Sequence, residues 1–381
     1  MSEQSGIVLI DGDLVPGRVA WSNGRITTVE RLQEAPQGAK ILAPGLVDLH
    51  VHGFGGCDPL DDLGGMARAL ATHGTTAFQP TLFPAEPERL GLDCLALAEA
   101  EAERVEDIGA RNLGAHLEGP FVNPRAAGAL PARDLHMPSV QGLSAILGPA
   151  SGNGRGIRTL TLAPELPGAL DLIEECRRSG LRVSMGHSRA RGVEAQAGAR
   201  AGASGATHLY NAMSGMHHRD AGLAGIALTD DLVFAEIIGD LVHVEREAFE
   251  IALAARGPGG LCLVSDALAG AGTGCEVFHC AGREHLVIGG TAYYPPVEPG
   301  GEPQLAGCAS SQLDMLRKLT QAGVCNTAEA LTMASTTPAR ALGLGDEMGV
   351  LVPGARADLI QLNPGELSLE ACWVGGQLQG Q

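Results

Sequence analysis

The sequence predicts an α/β protein, a (β/α)8 barrel of the TIM type with a small β-sandwich domain built from both chain ends. Three observations predict it. An apolar run, a polar loop and an Ala/Leu-rich helical stretch alternate over about three hundred residues, as parallel strands with helical crossovers do. Short strand-and-turn segments occupy only the two ends. The composition also suits many short buried strands: 381 residues carry 54 Gly, 45% apolar side chains, and only 7 Phe, 3 Tyr and 2 Trp. An open doubly wound sheet is the runner-up, but the dinucleotide fingerprint expected after its first strand is missing.

Residues 1–43 read as the first part of the small β domain: IVLI, RVAW and ITTVE, with Asn23-Gly24 as a hairpin turn. Residues 44–345 read as the barrel. Its apolar strands are APGLVDLHV, NLGAHL, RTLTLAP, LRVSMG, GATHLY, VFAEII and LCLVSD. Helices are expected over 64–73, 86–104, 168–179, 189–201, 245–255, 310–322 and 327–334. Residues 346–381, with ADLIQLN and CWVGGQLQ, return to the small domain.

Charge and cysteine usage exclude several classes. With 26 basic against 44 acidic residues the formal charge is −18, which disfavours the clustered cations of nucleic-acid binding. No stretch nears the ~18 apolar residues of a membrane span. The opening MSEQSGIVLIDGD lacks the basic and apolar regions of a signal peptide. Nine cysteines without a C-x-x-C pair read as reduced thiols, so a cytoplasmic enzyme is expected.

In a barrel the chemistry sits at the C-terminal ends of the strands. There the sequence places His50 and His52, then Glu118, His187, His208 and Asp266. His50 and His52 alternate along one strand, so both can face one interior point. Singly, each has a plainer reading. A strand-end histidine is usually a hydrogen-bonded loop residue, Glu118 before Gly119-Pro120 a turn residue, and Asp266 a cap for the next helix. Six such residues at equivalent places argue jointly for a metal site. Histidines and carboxylates without thiolates suit Zn²⁺ first, with Fe²⁺ or Mn²⁺ as alternatives.

These residues carry a resemblance. PGLVDLHVHG resembles the opening metal motif of the amidohydrolase superfamily. HLEGPFVNP, MGHS, THLYNAM and LVSDALAGAG together resemble its N-acetylglucosamine-6-phosphate deacetylases, over nearly the whole chain. The resemblance implies metal-dependent hydrolysis of an acetamide on a sugar phosphate. It makes Glu118, His187 and His208 the main metal ligands, with His50 and His52 completing a second position, so one or two ions are expected. Asp266 matches the catalytic aspartate, acting as general base and then acid. Asn211, Ala212 and Arg219 match phosphate-holding positions, Arg219 across a homodimer interface. His243 matches a histidine that contacts the sugar, and QLAGCASSQL a loop closing over its ring, with Leu305, Ala306 and Gly307 near the substrate. For Arg219 the alternative is a surface ion pair with Asp220.

Two departures stand out. Leu130 occupies the place of a histidine that polarises the acetyl carbonyl, leaving His136, His217 and His218 as replacements by residue type. HHRDAG also differs from the usual R-E-P-G turn. Another amidohydrolase acting on a different N-acyl sugar, such as N-acetylgalactosamine 6-phosphate, or on another amide, is therefore the enzymatic alternative. A sugar-phosphate-binding relic barrel is the non-enzymatic one.

Overall fold

The computed structural model describes residues 2–104, 108–149, 156–298 and 300–380. Eight parallel strands form the expected barrel and pair in chain order. They are β1 (Leu46–Val51), β2 (Thr75–Leu82), β3 (Ala115–Glu118), β4 (Ile157–Leu162), β5 (Arg182–Met185), β6 (Gly205–Ala206), β7 (Phe234–Ile238) and β8 (Leu261–Val264). Buried on both faces, they read as apolar runs rather than as alternation. β2 is the strand that sequence periodicity misses. TTAFQPTL is buried throughout, yet its Thr, Gln and Pro residues break the apolar signal.

No continuous ladder joins β8 to β1. Side chains span the gap, and backbone bonds tie the two strand ends. Gln312 Nε2 donates to Val47 O (3.0 Å) on β1 and to Leu263 O (2.7 Å) on β8. Asp48 Oδ1 accepts from Ser265 N (3.2 Å), and just beyond, Asp266 N donates to His50 O (2.9 Å). Burial pushes the Asp48 carboxyl up to about 7 against the hydrogen bonds from Ser265.

Helices cover the barrel, several with clear caps. In Pro59–Ala71 the non-helical backbone of Asp62 splits off a first turn, and its Oδ1 then accepts from Gly65 N at 2.7 Å. This is why the helical pattern in the sequence begins only near residue 64. The helices Val140–Leu147, Gly222–Thr229 and Thr336–Ala341 were not expected. In Gly222–Thr229, GLAGIAL is buried on every side, so no amphipathic stripe marks it.

A further correction concerns the stretch after β8. Four antiparallel strands, Val277–Cys280, Arg283–Ile288, Thr291–Tyr294 and Gln304–Cys308, form a separate small sheet before helix Gln312–Gln321. The segment expected to be a loop, QLAGC, is its last strand, paired with Thr291–Tyr294. That strand also grips the catalytic end of the barrel, since Cys308 N donates to Asp266 O (3.0 Å) and Leu268 N to Cys308 O (2.9 Å).

The two chain ends meet in one seven-stranded sheet. Ile41–Pro44 lies between Ser2–Ile10 and the returning Leu359–Leu362. Asn23 and Gly24 both have positive φ (51° and 74°), as the hairpin signal requires. The sheet curls on itself. Trp21 and Trp373, four strands apart in its order, meet edge to face at 5.6 Å over Val8, Val19, Leu42 and Leu359. A much larger apolar core fills the barrel and its helices and takes in Leu9, Ile41, Ile360, Leu362 and Val374 from this sheet.

Candidate active site

Glu118 ends β3 and is 3% exposed. Its Oε1 lies 3.0 Å from Nε2 of both His187 and His208, and its Oε2 3.2 Å from His52 Nε2. His50 Nε2 is 3.5 Å from Glu118 Oε1 and 3.3 Å from Asp266 Oδ1. All six strand-end residues named from the sequence therefore converge on one point. Their donor atoms form two overlapping groups that could hold metal ions, His50–His52–Glu118 and Glu118–His187–His208, with Glu118 common to both.

Backbone strain helps to aim these groups. His187, His208, Ala212 and Asp266 all have positive φ (46°, 32°, 49° and 48°), a region that costs a side-chain-bearing residue about 1–2 kcal/mol. The adjacent glycine turns leave no room for alternatives. A Cβ on Gly53 would meet Ala269 N and Cys57 O at 2.9 Å, and one on Gly186 would meet Thr207 Cβ at 2.7 Å.

Tautomers follow from the fixed partners. His187 Nδ1 donates to Ala126 O (2.9 Å), which fixes the ring and aims Nε2 at Glu118. His243 Nδ1 bonds Asp240 Oδ2 at 2.7 Å, leaving its Nε2 free. Asp240 also accepts from Val242 N, His243 N and Thr291 Oγ1. Although burial opposes it, the His243 contact holds the Asp240 carboxyl below the usual carboxylate range.

The site is a well of negative potential. Burial would lower His50, yet Asp266, Glu118 and Glu236 around it raise its pKa to about 10. Burial would likewise raise Glu118, but His50, His187 and His208 hold it well below the ordinary value. Behind this layer, burial drives His116 down to about 3, so it is neutral. Its Nδ1 donates to Leu49 O, and its Nε2 accepts from Thr161.

A cavity opens above the cluster. It is lined by His52, Glu118, His187, His208 and Asp266, and also by Asn211, Ala212, His243, Leu305, Ala306 and Gly307. His50 sits beneath, fully buried.

Comparisons with known proteins identify the family. Residues 41–376 match the amidohydrolase family. The chain belongs to the amidohydrolase family. It is accordingly a metal-dependent hydrolase of carbon–nitrogen bonds. Among its relatives, the N-acetylglucosamine-6-phosphate deacetylase of Rattus norvegicus is 33% identical, covering 98% of this chain and 94% of that one. The N-acetylgalactosamine-6-phosphate deacetylase of Escherichia coli O157:H7 is also 33% identical, covering 97% and 96%. An aspartate-to-alanine mutant of the N-acetyl-D-glucosamine-6-phosphate deacetylase from Mycobacterium smegmatis, in complex with N-acetyl-D-glucosamine-6-phosphate, superimposes with a TM-score of 0.88. It is 29% identical and covers 100% of this chain and 99% of that one.

Several other residues of this amidohydrolase named from the sequence lie outside the cavity. Arg219 is exposed, outside the cavity lining, beside Arg191 and Arg200. Nor does it pair with Asp220, whose partner is Arg191 at 3.4 Å. Leu130 does line the cavity, but none of its three suggested replacements does. His136 Nε2 lies 3.4 Å from Glu86, while His217 and His218 are exposed, 4.1 Å apart.

Other residues of the site were not singled out. Phe83 stacks on His52 with ring centroids 4.0 Å apart, and Gly128 and Ala129 complete the wall. Phe83 follows the missed strand β2. Glu236, fully buried against His50, sits in plain view within VFAEII, where a lone carboxylate inside an apolar strand is the signal.

Proposed function

We propose that this amidohydrolase converts N-acetyl-D-glucosamine 6-phosphate to D-glucosamine 6-phosphate and acetate, in amino-sugar catabolism. The observation that carries the reading is the convergence of Glu118, four histidines and Asp266 beneath a cavity also lined by Asn211, Ala212 and His243. The deacetylases among its relatives support it.

The residues fit a divalent cation. Four imidazoles and one shared carboxylate converge with no thiolate, Lys or Arg among them. That donor set suits Zn²⁺, with Fe²⁺ or Mn²⁺ as alternatives. Glu118, His187 and His208 would hold one ion, and His50, His52 and Glu118 a second. Bound there, such an ion supplies Lewis acidity for the amide carbonyl and lowers the pKa of water toward neutrality.

The chain's own residues do the rest. Asp266, its side chain 16% exposed at the cavity floor, takes a proton from the attacking water and returns it to the departing amine. The acyl carbon gains the water oxygen as the C–N bond breaks. His243, anchored by Asp240, turns Nε2 toward the sugar hydroxyls. Leu305, Ala306 and Gly307 border the ring. Backbone N–H groups around Asn211 and Ala212 hold the phosphate, whose binding energy orients the acetamide.

Arg219 belongs to the same reading through a homodimer. Exposed and without a side-chain partner among the described residues, it would reach the phosphate in a second protomer's cavity. Nine unpaired thiols support a cytoplasmic enzyme. No helix among the described residues is long and apolar enough to cross a membrane.

The galacto epimer is the second reading, favoured by the equal identity of the Escherichia coli relative. A panel of gluco, galacto and manno N-acetylhexosamines, with and without the 6-phosphate, tests both readings. The fastest acetate release is expected from the gluco 6-phosphate. A faster galacto 6-phosphate moves the assignment to that epimer, and release from none of them overturns it. Arg219→Ala should weaken phosphorylated substrates at least tenfold more than unphosphorylated ones, and equal losses refute the phosphate role.

A further inference from the structure

A second cavity, of about 660 Å³, adjoins the first. Phe83, Ala129 and Ala306 line both. The rest of its wall comes mainly from two segments that the mechanism leaves unused, 131–134 and the small antiparallel sheet with Cys280, Arg283, His285 and Tyr294, with Pro84 and Leu268 completing it.

The shared residues say which end of the substrate faces it. The scissile carbonyl must lie beside the ligand cluster and Asp266. Phe83 stacks flat on the ligand His52, with 9° between the ring planes, so the junction reaches the acyl end at Phe83 while bordering the ring at Ala306. Asn211, Ala212 and His243 line only the first cavity. Leu130, next to Ala129, adds an apolar surface in place of a hydrogen-bond donor. The second cavity has an apolar wall in kind, Phe83, Pro84, Leu268 and Cys280, with Arg133, Asp134, Arg283 and His285 as its polar lining. Two of the three residues at the junction are alanines, so little side-chain bulk stands between the chambers.

We infer that this cavity is an acyl-chain subsite, and that the enzyme hydrolyses N-acyl hexosamine 6-phosphates whose linear chains are longer than acetyl. The inference rests on the deacylation reading above. The reaction is unchanged: water adds to the acyl carbon, the C–N bond breaks, and a fatty acid leaves with the free amino sugar. A pocket closed around a methyl group would reject a chain several methylenes longer by about 100-fold or more. An open one accommodates it by burying those methylenes.

The test uses enzyme stripped with chelator and reloaded with Zn²⁺, assayed on N-acetyl-, N-butanoyl- and N-hexanoyl-glucosamine 6-phosphate. The kcat/KM values for the longer chains are expected within about tenfold of that for acetyl. Ala132→Trp places an indole in the second cavity at an exposed position that does not line the first. It should lower hexanoyl turnover at least tenfold and leave acetyl turnover within twofold. Acetate release with hexanoyl turnover more than 100-fold down in the wild type overturns the acyl subsite alone. An unchanged hexanoyl-to-acetyl ratio in Ala132→Trp does the same. Release of neither acid overturns the deacylase reading and this inference with it.

Discussion

Glu236 Oε2 faces His50 Nδ1 at 3.5 Å inside the barrel, and neither atom has a hydrogen-bond partner elsewhere. The other carboxylate oxygen of Glu236 is held by Arg182 Nη1 at 3.1 Å. Burial would raise the carboxyl, but His50 and Arg182 hold it down at about 2. A charged carboxylate behind Nδ1 keeps the proton there and presents Nε2 to the ligand cluster. Glu236→Gln keeps an acceptor for Arg182 but puts an N–H donor opposite His50. Metal affinity at the His50–His52 position should fall about 10–100-fold, read by metal titration of the folded protein. Unchanged affinity would show that Glu236 only packs.

Glu118 is common to both ligand groups, so its loss should differ in kind from that of any histidine. His52→Ala and His187→Ala should each retain one tightly bound ion per chain, whereas Glu118→Ala should retain none. Elemental analysis of the purified variants counts them. Two ions in Glu118→Ala would refute the sharing.

The seam between β1 and β8 depends on Gln312, which is 1% exposed and donates to a carbonyl on each strand. Gln312→Ala strands both carbonyls. It should cost about 2–4 kcal/mol, seen as a lower denaturant midpoint with an unchanged slope. A loss under about 0.5 kcal/mol would show that the barrel closes without these two bonds.

The catalytic layer was legible because each of its residues follows an apolar strand: His50 and His52 after LVDL, Glu118 after AHL, His208 after GAT. That regularity survives without knowledge of packing. What lay behind it was hidden for physical reasons. Glu236 takes its meaning only from facing His50 across the barrel, and sequence distance says nothing of that. β2 is buried but polar, so TTAFQPTL carries neither periodicity. The small sheet formed by Val277–Cys280, Arg283–Ile288, Thr291–Tyr294 and Gln304–Cys308 has short strands of mixed burial, and it sits inside what a strand–helix count assigns to one unit. Arg219 was identified by its motif, and its place on the outer surface came only with the fold.

Burial also sets thiol chemistry. It pushes the thiols of Cys94, Cys176, Cys262, Cys325 and Cys372 up to about 12. Only Cys57 and Cys275 are part-exposed. At pH 8 a thiol reagent should therefore modify two cysteines per native chain and nine after denaturation. Rapid loss of more than two in the folded enzyme would mean that the buried thiols are reached through opening of the structure.

Asp266 carries the central claim, since it touches the ligand cluster and has solvent access at the cavity floor. The decisive measurement is acetate release from N-acetylglucosamine 6-phosphate by chelator-stripped protein, by protein refilled with Zn²⁺, and by refilled Asp266→Asn with its metal content determined. The account predicts release only from the refilled wild type, with Asp266→Asn binding its metal normally and turning over at least a thousandfold more slowly. Equal release from the stripped protein, or near-normal turnover by Asp266→Asn, would contradict it.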